Sequence, residues 1–467
     1  MGILGKNEQY VDDMIDIVKH LYQYVPFHED QLPDKETQPV KVLSGGDYLT
    51  FERHKEAQSS KVDGRTPSKR LEGLIPKIED FHVQAEWQKV IWKHLYSTSS
   101  SRDIGTLYAA RNALKAHNVS STPSKDFYAS AELLNKFTDA YLVSGALHHF
   151  GLKDVNSSPT RNKFEDNPDS KSDVKQYILS EARTFVDNYV MTKVPELTQE
   201  QQSLKCKYCE QEFVQPVSLK QHEQFHIQFA EDIQPYSTST GTVHFTQDKV
   251  FNYTHTTLML CLLRRNHDNA IHMGDGARIV RLYKYFLLFY KVSGCPKYAY
   301  ATLELLCQTM CLLSERKAYQ LTWNRSVNYQ GQIDTNHPMD LDIEHDNKSF
   351  KNDVTSHRGV ITQRIIDRVS RSLDTTDRIV RNYNAISKVH HPSGKHTSKN
   401  TEGDVLILVK QFEDLKLYDF IAGRQHSAFP NINGNPLKNL KMTDFKQWIK
   451  KCCMKFSKKH YYYPKNQ

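Results

Sequence analysis

The sequence predicts an α+β protein that is mostly helical, and two observations carry this prediction. Apolar residues recur at helical spacing over long stretches, chiefly residues 101–194 and 252–316. Two short apolar runs instead have the character of strands, PVKVLSGG and LEGLIPKIED, and both lie in the first hundred residues. Pro76 restricts the second run to a sheet edge or a bulge, because proline cannot donate a ladder hydrogen bond.

The remaining elements follow in chain order. A helix is predicted over Tyr10–Tyr24, and another follows the first strand from about Thr50. A third follows the second strand and contains Trp87 and Leu95. Two later helices are predicted in HPMDLDIEHDNKSFK and GVITQRIIDRVSRSL. The sequence therefore alternates helix and strand at its start and becomes helical afterwards.

Residues 204–229 have the spacing of a zinc finger. Two cysteines are separated by two residues, twelve residues follow, and two histidines are separated by three. Two thiolates on a tight turn and two imidazoles one helical turn apart suit tetrahedral Zn²⁺. Phe213 and Leu219 occupy the core positions of a ββα finger, and Pro216 its first helical position. The predicted ligands of this structural Zn²⁺ are Cys206, Cys209, His222 and His226.

The role of the finger has three interpretations. If its helix begins at Pro216, the outward base-reading positions are Gln215, Ser218 and Gln221. Glutamine pairs with adenine through two hydrogen bonds, whereas serine discriminates poorly between bases. One finger covers about three base pairs, which is too few for specific binding alone. The finger therefore binds DNA or RNA, holds an insertion together, or docks a protein partner.

Composition favours a nuclear, nucleic-acid-binding protein. The 467 residues carry a net charge of +8 and a sequence pI of about 8.8, which favours a polyanionic partner. The eight cysteines are widely scattered, as is typical of proteins from reducing compartments. The N-terminal MGILGKNEQY has no apolar signal core, and the sequence predicts no membrane partner.

Three carboxylates have the positions expected of metal ligands. Asp47 ends the first strand, Asp80 ends the second, and Glu344 lies on a predicted helix one turn after Asp340. RNase H-like nucleases and transposases hold two Mg²⁺ ions with such a set, and the metals activate a nucleophile for attack on a phosphodiester. The alternative is that these are ordinary surface carboxylates, with Asp80 serving as a helix cap.

Four blocks of sequence carry a resemblance to a known family: GGDYLTFER, RLEGLIPKIEDFH, SRDIGTLYAARN and NHPMDLDIEHDNK. Over about Val40 to Arg381 the chain resembles an animal and fungal domain family of transposase-derived proteins, some with a C2H2 finger. The resemblance implies a partial RNase H-like core in which Asp47 is the second metal ligand and Glu344 the last. The first ligand would lie upstream of Met1. Mg²⁺ would then bind well only in a complete core. Asp80 would be a weaker substitute for the missing ligand.

The predicted organisation follows from these assignments. Residues 1–100 form the partial core without its first strands, 101–203 a helical insertion, and 204–229 the finger. Residues 230–390 return to the core with the acidic helix near 340–350, and 400–467 form a basic C-terminal segment.

The C-terminal segment has two interpretations. After Thr443, six lysines lie among aromatic residues between Phe445 and Tyr463, which is typical of a nucleic-acid surface. The favoured alternative is an amphipathic helix that packs Trp448 and Met454 inward and leaves its lysines in water.

We therefore expect a zinc-binding, nucleic-acid-binding protein that derives from a mobile-element transposase and is catalytically incomplete. Two alternatives remain, an active DDE-type metal-dependent transposase fragment and a zinc-stapled protein-interaction module.

Overall fold

The computed structural model confirms that the chain is mostly helical with few strands. The structure describes residues 4–28, 38–164, 170–191, 204–205, 212–213, 223, 247–356, 359–388, 401–434, 437 and 440–459. Within these ranges, no helix combines the length and the apolar character needed to cross a membrane.

The helices are numbered in chain order. The first seven are α1 (Val11–Leu21), α2 (Tyr48–Ser60), α3 (Asp80–Leu95), α4 (Leu107–Ala113), α5 (Phe127–Phe150), α6 (Lys171–Tyr189) and α7 (Lys249–His272). The next seven are α8 (Gly276–Val292), α9 (Pro296–Cys307), α10 (Glu315–Trp323), α11 (Met339–Thr355), α12 (Gln363–Ser387), α13 (Thr401–Phe412) and α14 (Met442–Lys459).

The strands form three separate pairs. They are β1 (Val42–Gly46) with β2 (Leu74–Ile78), β3 (Leu204–Lys205) with β4 (Glu212–Phe213), and β5 (Ser326–Val327) with β6 (His337–Pro338). The first pair is parallel, and the other two are antiparallel.

The parallel pair β1–β2 is the sheet that the sequence predicts near its start. Val42 lies opposite Leu74 and Gly46 opposite Ile78, so both strands end at the same edge. Helix α2 connects them, as parallel strands require a crossover. Pro76 is tolerated because β2 is paired on one side alone in this two-stranded sheet.

Helix α1 packs its apolar stripe against α2 and the neighbouring strand. Met14, Ile15 and Val18 are buried with Ala57 and Leu74 in one core cluster. The first turn of α1 is acidic and its last turn basic, which complements the helix dipole. The helix predicted over Tyr10–Tyr24 is therefore present as α1 followed by a short 3₁₀ turn.

The chain divides into two compact units. Unit 1 comprises Met1–Val90, Leu263–Lys399 and Lys441–Gln467. Its core includes Trp87, which stacks on Phe286 of α8 with ring centroids 4.2 Å apart. Such aromatic contacts add to the free energy of burying large apolar surface.

Unit 2 comprises Ile91–Leu262 and Asn400–Leu440. Within it, α5 packs against α13, and the Lys136 ammonium of α5 lies 2.9 Å from the Asp404 carboxylate of α13. The buried Asp248 carboxylate, at the start of α7, is 2.7 Å from Nη2 of Arg424. Sequence-distant parts of unit 2 are thus joined by ion pairs as well as apolar packing.

Helix α14 is amphipathic, as predicted, but its buried face differs from the predicted one. Phe445, Ile449, Cys453 and Phe456 are buried. Trp448 and Met454 retain 45% and 59% exposure, so the prediction that they pack inward was wrong. The reason is the position of the apolar stripe around the helix. The buried residues recur at intervals of three or four, and positions 448 and 454 fall outside that stripe.

Candidate functional site

The candidate site lies where β1 and β2 end, at the shared edge of the parallel pair. Asp47 follows β1, and its Oδ1 accepts a hydrogen bond of 2.8 Å from the backbone N–H of Thr50. It therefore caps α2, whose first N–H groups have no partner within the helix. At the end of β2, Asp80 begins α3 directly.

Asp340 of α11 caps the start of α3 from a distant part of the sequence. Its Oδ1 and Oδ2 accept hydrogen bonds of 3.0 Å from the backbone N–H groups of Phe81 and His82. Its Oδ2 also lies 2.9 Å from Nδ1 of His82. A buried carboxylate bound to two backbone donors at a helix N-terminus is well stabilised. Asp340 thus joins α11 to the end of the parallel pair.

Glu344 reaches the same histidine from the next turn of α11. Its Oε1 lies 3.9 Å from Nε2 of His82, and its side chain is 44% exposed. Asp340 and Glu344 are four residues apart, so both project from one face of the helix. The imidazole of His82 therefore lies between two carboxylates of α11.

The pKa of His82 reflects the carboxylates that surround it. Burial lowers the pKa of His82, but the hydrogen bond and charge of Asp340, with the charges of Asp47 and Glu344, raise it above its ordinary value overall. The structure therefore brings Glu344, one of the predicted metal ligands, to within 3.9 Å of this imidazole, whereas Asp47 acts on it through its charge. Sequence analysis did not select His82, although its position two residues after Asp80 was the available signal.

Asp80 lies apart from this cluster, in the core of unit 1. Its Oδ2 accepts a hydrogen bond of 2.8 Å from Nε of Arg325, and its Oδ1 accepts one of 3.0 Å from Nη2. The hydroxyl of Tyr283 donates a further hydrogen bond to Oδ1, and Nε2 of His267 is 3.5 Å from it. All four side chains are at most 1% exposed. The Asp80 carboxylate is thus fully engaged by protein partners.

The helix-cap alternative for Asp80 was wrong. Phe81 and His82, the next two residues of α3, donate their N–H groups to Asp340, which takes the capping role. Burial would raise the pKa of Asp80, but the charge of Arg325 and the nearness of His267 lower it well below its ordinary value. Asp80 is therefore a charged partner within a buried network.

A second buried ion pair lies on β2 itself. Lys77 and Glu79 are 3% and 4% exposed, and Nζ of Lys77 donates a hydrogen bond to Oε1 of Glu79. A Cβ added at Gly45, on the neighbouring strand, would lie 1.6 Å from that oxygen. Any other residue at this point of β1 would have to displace the Glu79 carboxylate from its ion pair with Lys77.

The described residues contain no metal-binding cluster. Across the ranges that the structure describes, no three His, Cys, Asp or Glu side chains are arranged to hold one metal ion. The predicted zinc ligands Cys206, Cys209, His222 and His226 lie outside the described residues, as do the predicted base-reading residues Gln215, Ser218 and Gln221.

The sequence matches the family described as "Family of unknown function (DUF6589)" over residues 1–396. The chain belongs to this family. The match includes the β1–β2 pair, the acidic helix α11 and the segment of the predicted finger. Helices α13 and α14 lie beyond the matched residues. No curated protein and no solved structure matches the chain.

Within the DUF6589 match, a short antiparallel pair flanks the predicted cysteine ligands. Leu204 of β3 lies opposite Phe213 of β4, and Lys205 lies opposite Glu212. Cys206 and Cys209 fall between these two strands in the sequence. The described strands therefore bracket the C-x₂-C half of the motif.

We predict that Asp80→Asn destabilises the chain by about 3–5 kcal/mol, since it leaves the buried Arg325 charge without its counter-charge. Thermal and denaturant unfolding measure this change. Asp63→Asn is the matched control, because Asp63 is exposed in a turn after α2.

The same substitution should flatten the acid limb of the stability profile. Because folding lowers the pKa of Asp80 below 3.8, its ionised form stabilises the fold above that pH, and this contribution is lost as the pH falls below about 4. Equal stability losses in Asp80→Asn and Asp63→Asn would contradict the assignment.

Proposed function

We propose that the chain binds one Zn²⁺ through a C2H2 finger and binds nucleic acid, chiefly duplex DNA, through that finger. The observation that carries the proposal is the spacing of Cys206, Cys209, His222 and His226. Two thiolates and two imidazoles at these intervals suit the tetrahedral preference of Zn²⁺. The metal would be structural, since all four of its positions would be filled by protein ligands.

The strands that flank the cysteines support this proposal. In a ββα finger the two cysteines lie on a short hairpin and the two histidines on the following helix. The antiparallel pairing of Leu204–Lys205 with Glu212–Phe213 is consistent with the strands of such a hairpin. The site itself lies outside the described residues, so the proposal rests on ligand spacing and on these flanking strands.

Charge and the predicted helix surface support nucleic acid as the partner. The net charge of +8 favours a polyanion. Gln215 and Gln221 fall at positions from which a finger helix contacts bases, and glutamine reads adenine. Since one finger contacts about three base pairs, we expect moderate affinity and low sequence specificity. Such a protein would act in the nucleus.

We further propose that β1, α2, β2 and α11 derive from the RNase H-like core of a transposase. Three described features support this origin. The two strands are parallel and adjacent, Asp47 follows the first of them, and Glu344 approaches the same edge from a helix far along the chain. The long segment between β2 and α11 also leaves unit 1 after Val90 and returns to it at Leu263.

A second candidate function is phosphoryl transfer with Mg²⁺. It is favoured by the approach of Asp340 and Glu344 to His82, because carboxylates are the ligands that Mg²⁺ prefers. Two features weigh against it. Asp340 is engaged by backbone donors of α3, and Asp80 is engaged by Arg325. We therefore propose that the core of this chain is catalytically incomplete.

The purified chain should contain about one equivalent of zinc by elemental analysis, and Cys206→Ser should lose it because a structural site needs all four ligands. Cys295→Ser is the control, since Cys295 lies in a different segment and outside the motif. Zinc absent from the wild type, or retained by Cys206→Ser, would contradict the finger.

Duplex DNA binding should weaken when Gln215 and Gln221 both become alanine. Removal of the base-reading side chains should raise the Kd by roughly tenfold, and the slope of log Kd against log salt should hardly change, because the phosphate-binding cations are intact. Fluorescence anisotropy with a labelled duplex measures both quantities. Wild-type protein that holds zinc but binds neither DNA nor RNA would favour the protein-interaction module instead.

Strand cleavage or transfer with Mg²⁺ or Mn²⁺ should be undetectable for this chain alone. The assay is conversion of a labelled duplex with each metal, with Glu344→Gln as the matched variant. Metal-dependent activity in the wild type that disappears in Glu344→Gln would overturn the proposal of an incomplete core and establish the enzyme.

A further inference from the structure

Helix α14 concentrates the positive charge of the chain. Between Met442 and Lys459 the sequence has six lysines and one aspartate, a net charge of +5 in a chain whose total is +8. Lys446, Lys450, Lys451 and Lys455 are exposed along the helix. A helix rises 1.5 Å per residue, so Lys446 and Lys455 are about 14 Å apart along its axis. At 3.6 residues per turn, Lys446 and Lys450 lie on one flank of the exposed face and Lys451 and Lys455 on the other, so cations cover this face from both sides.

The helix is held in unit 1 by its apolar face. Phe456 packs against Tyr300 of α9, with ring centroids 5.6 Å apart. Ile449 is buried, and its carbonyl oxygen accepts a weak hydrogen bond from the Cys307 thiol at 3.9 Å. The lysines thus project from a helix whose orientation is fixed by its own packing.

Helix α8 extends the positive surface beside Lys446. Burial lowers the pKa of Lys284, and the charges of Lys446 and Arg281 lower it further. Lys446 is therefore near enough to Lys284 to repel it, although the two residues are far apart in the sequence. A folded protein that places like charges together without neutralising them has a surface suited to an anionic partner.

Within the described parts of the chain, the cations of this surface form no ion pair with a carboxylate. Among the residues that the structure describes, no carboxylate oxygen lies within 4.0 Å of the side-chain nitrogens of Arg281, Lys284, Lys446, Lys450, Lys451 or Lys455. Other lysines of unit 1 differ, because Lys6, Lys55 and Lys77 each form an ion pair. The lysines of α14 are therefore not held in ion pairs by the described residues, and their charges face solvent.

We infer that the solvent face of α14, together with Arg281 and Lys284 of α8, is a second nucleic-acid surface that contacts the phosphate backbone of duplex DNA. This inference rests on the proposed function and adds a surface separate from the finger. One strand of B-DNA has a phosphate about every 3.4 Å along the axis, so the length of helix from Lys446 to Lys455 spans about four phosphates. Because lysine contacts phosphates as a point charge, this surface binds without sequence preference.

The division of roles follows from the chemistry. A finger that reads about three base pairs gains little affinity on its own. Backbone contacts supply affinity that is independent of sequence and falls with salt. The slope of log K against log salt is about −0.9 for each phosphate neutralised. The lysine surface would therefore hold the chain on DNA, and the finger would bias its position.

The test compares two triple variants of the full, zinc-loaded chain. The first is Lys446→Gln, Lys450→Gln and Lys451→Gln. The control is Lys171→Gln, Lys175→Gln and Lys410→Gln, which removes the same charge from exposed positions on α6 and α13. Anisotropy with a labelled 20-base-pair duplex is measured between about 50 and 200 mM salt, the range over which binding to phosphates weakens steeply. Circular dichroism and thermal melting establish that both variants are folded.

The α14 variant should raise the Kd by at least roughly tenfold at about 100 mM salt and reduce the salt slope by about 3, since each of the three lysines neutralises about one phosphate. The control should change the slope by much less. Equal effects in the two variants, or no effect in the first, would overturn the inference.

Two further arms separate this inference from the finger and from other partners. If Cys206→Ser abolishes duplex binding while the α14 variant binds normally, the proposed function stands and this inference fails. If the α14 variant no longer binds the duplex while Cys206→Ser still binds it, the lysine surface is supported and the proposal that the finger binds DNA is contradicted. Preferential binding to anionic lipid vesicles, or to a single strand in a manner abolished by Trp448→Ala, would also overturn the inference.

Discussion

A buried ion pair between Asp80 and Arg325 positions the candidate site. Both side chains are at most 1% exposed, and Tyr283 contacts both of them. An unpaired charge at this depth costs several kcal/mol, so neither partner can leave without the other. The pair fixes the junction of β2 and α3 to α8 and to the chain after α10. His82 follows two residues later and is thereby held beside Asp340 and Glu344.

The two acidic residues that follow β2, Glu79 and Asp80, have different roles. Glu79 pairs with Lys77 of the strand and occupies the space beside Gly45. Asp80 enters the core, whereas the carboxylates near His82 come from β1 and α11. The two acidic residues that follow β2 thus serve packing and stability, and the contacts of His82 are made by carboxylates of α11.

The sequence predicted the elements better than it predicted the contacts between them. Local spacing was enough for α1, for the strands that end at Gly46 and Ile78, and for α11, because each signal lies within one element. It was not enough for Asp80, whose partner Arg325 is 245 residues away. His82 was missed for the same reason, since its partner Asp340 is 258 residues away. In α14 the amphipathic pattern was correct, but its phase was set by the packing of Phe456 and Ile449 against α9.

Zinc binding by Cys206, Cys209, His222 and His226 underlies the proposed function. Zinc X-ray absorption spectroscopy of the purified full chain is the sharpest test of it, because the spectrum reports the atoms bound to the metal. We expect two sulfur ligands at about 2.3 Å and two nitrogen ligands at about 2.0–2.1 Å in tetrahedral geometry. A shell of oxygen and nitrogen without sulfur, or of four sulfurs, would contradict the finger.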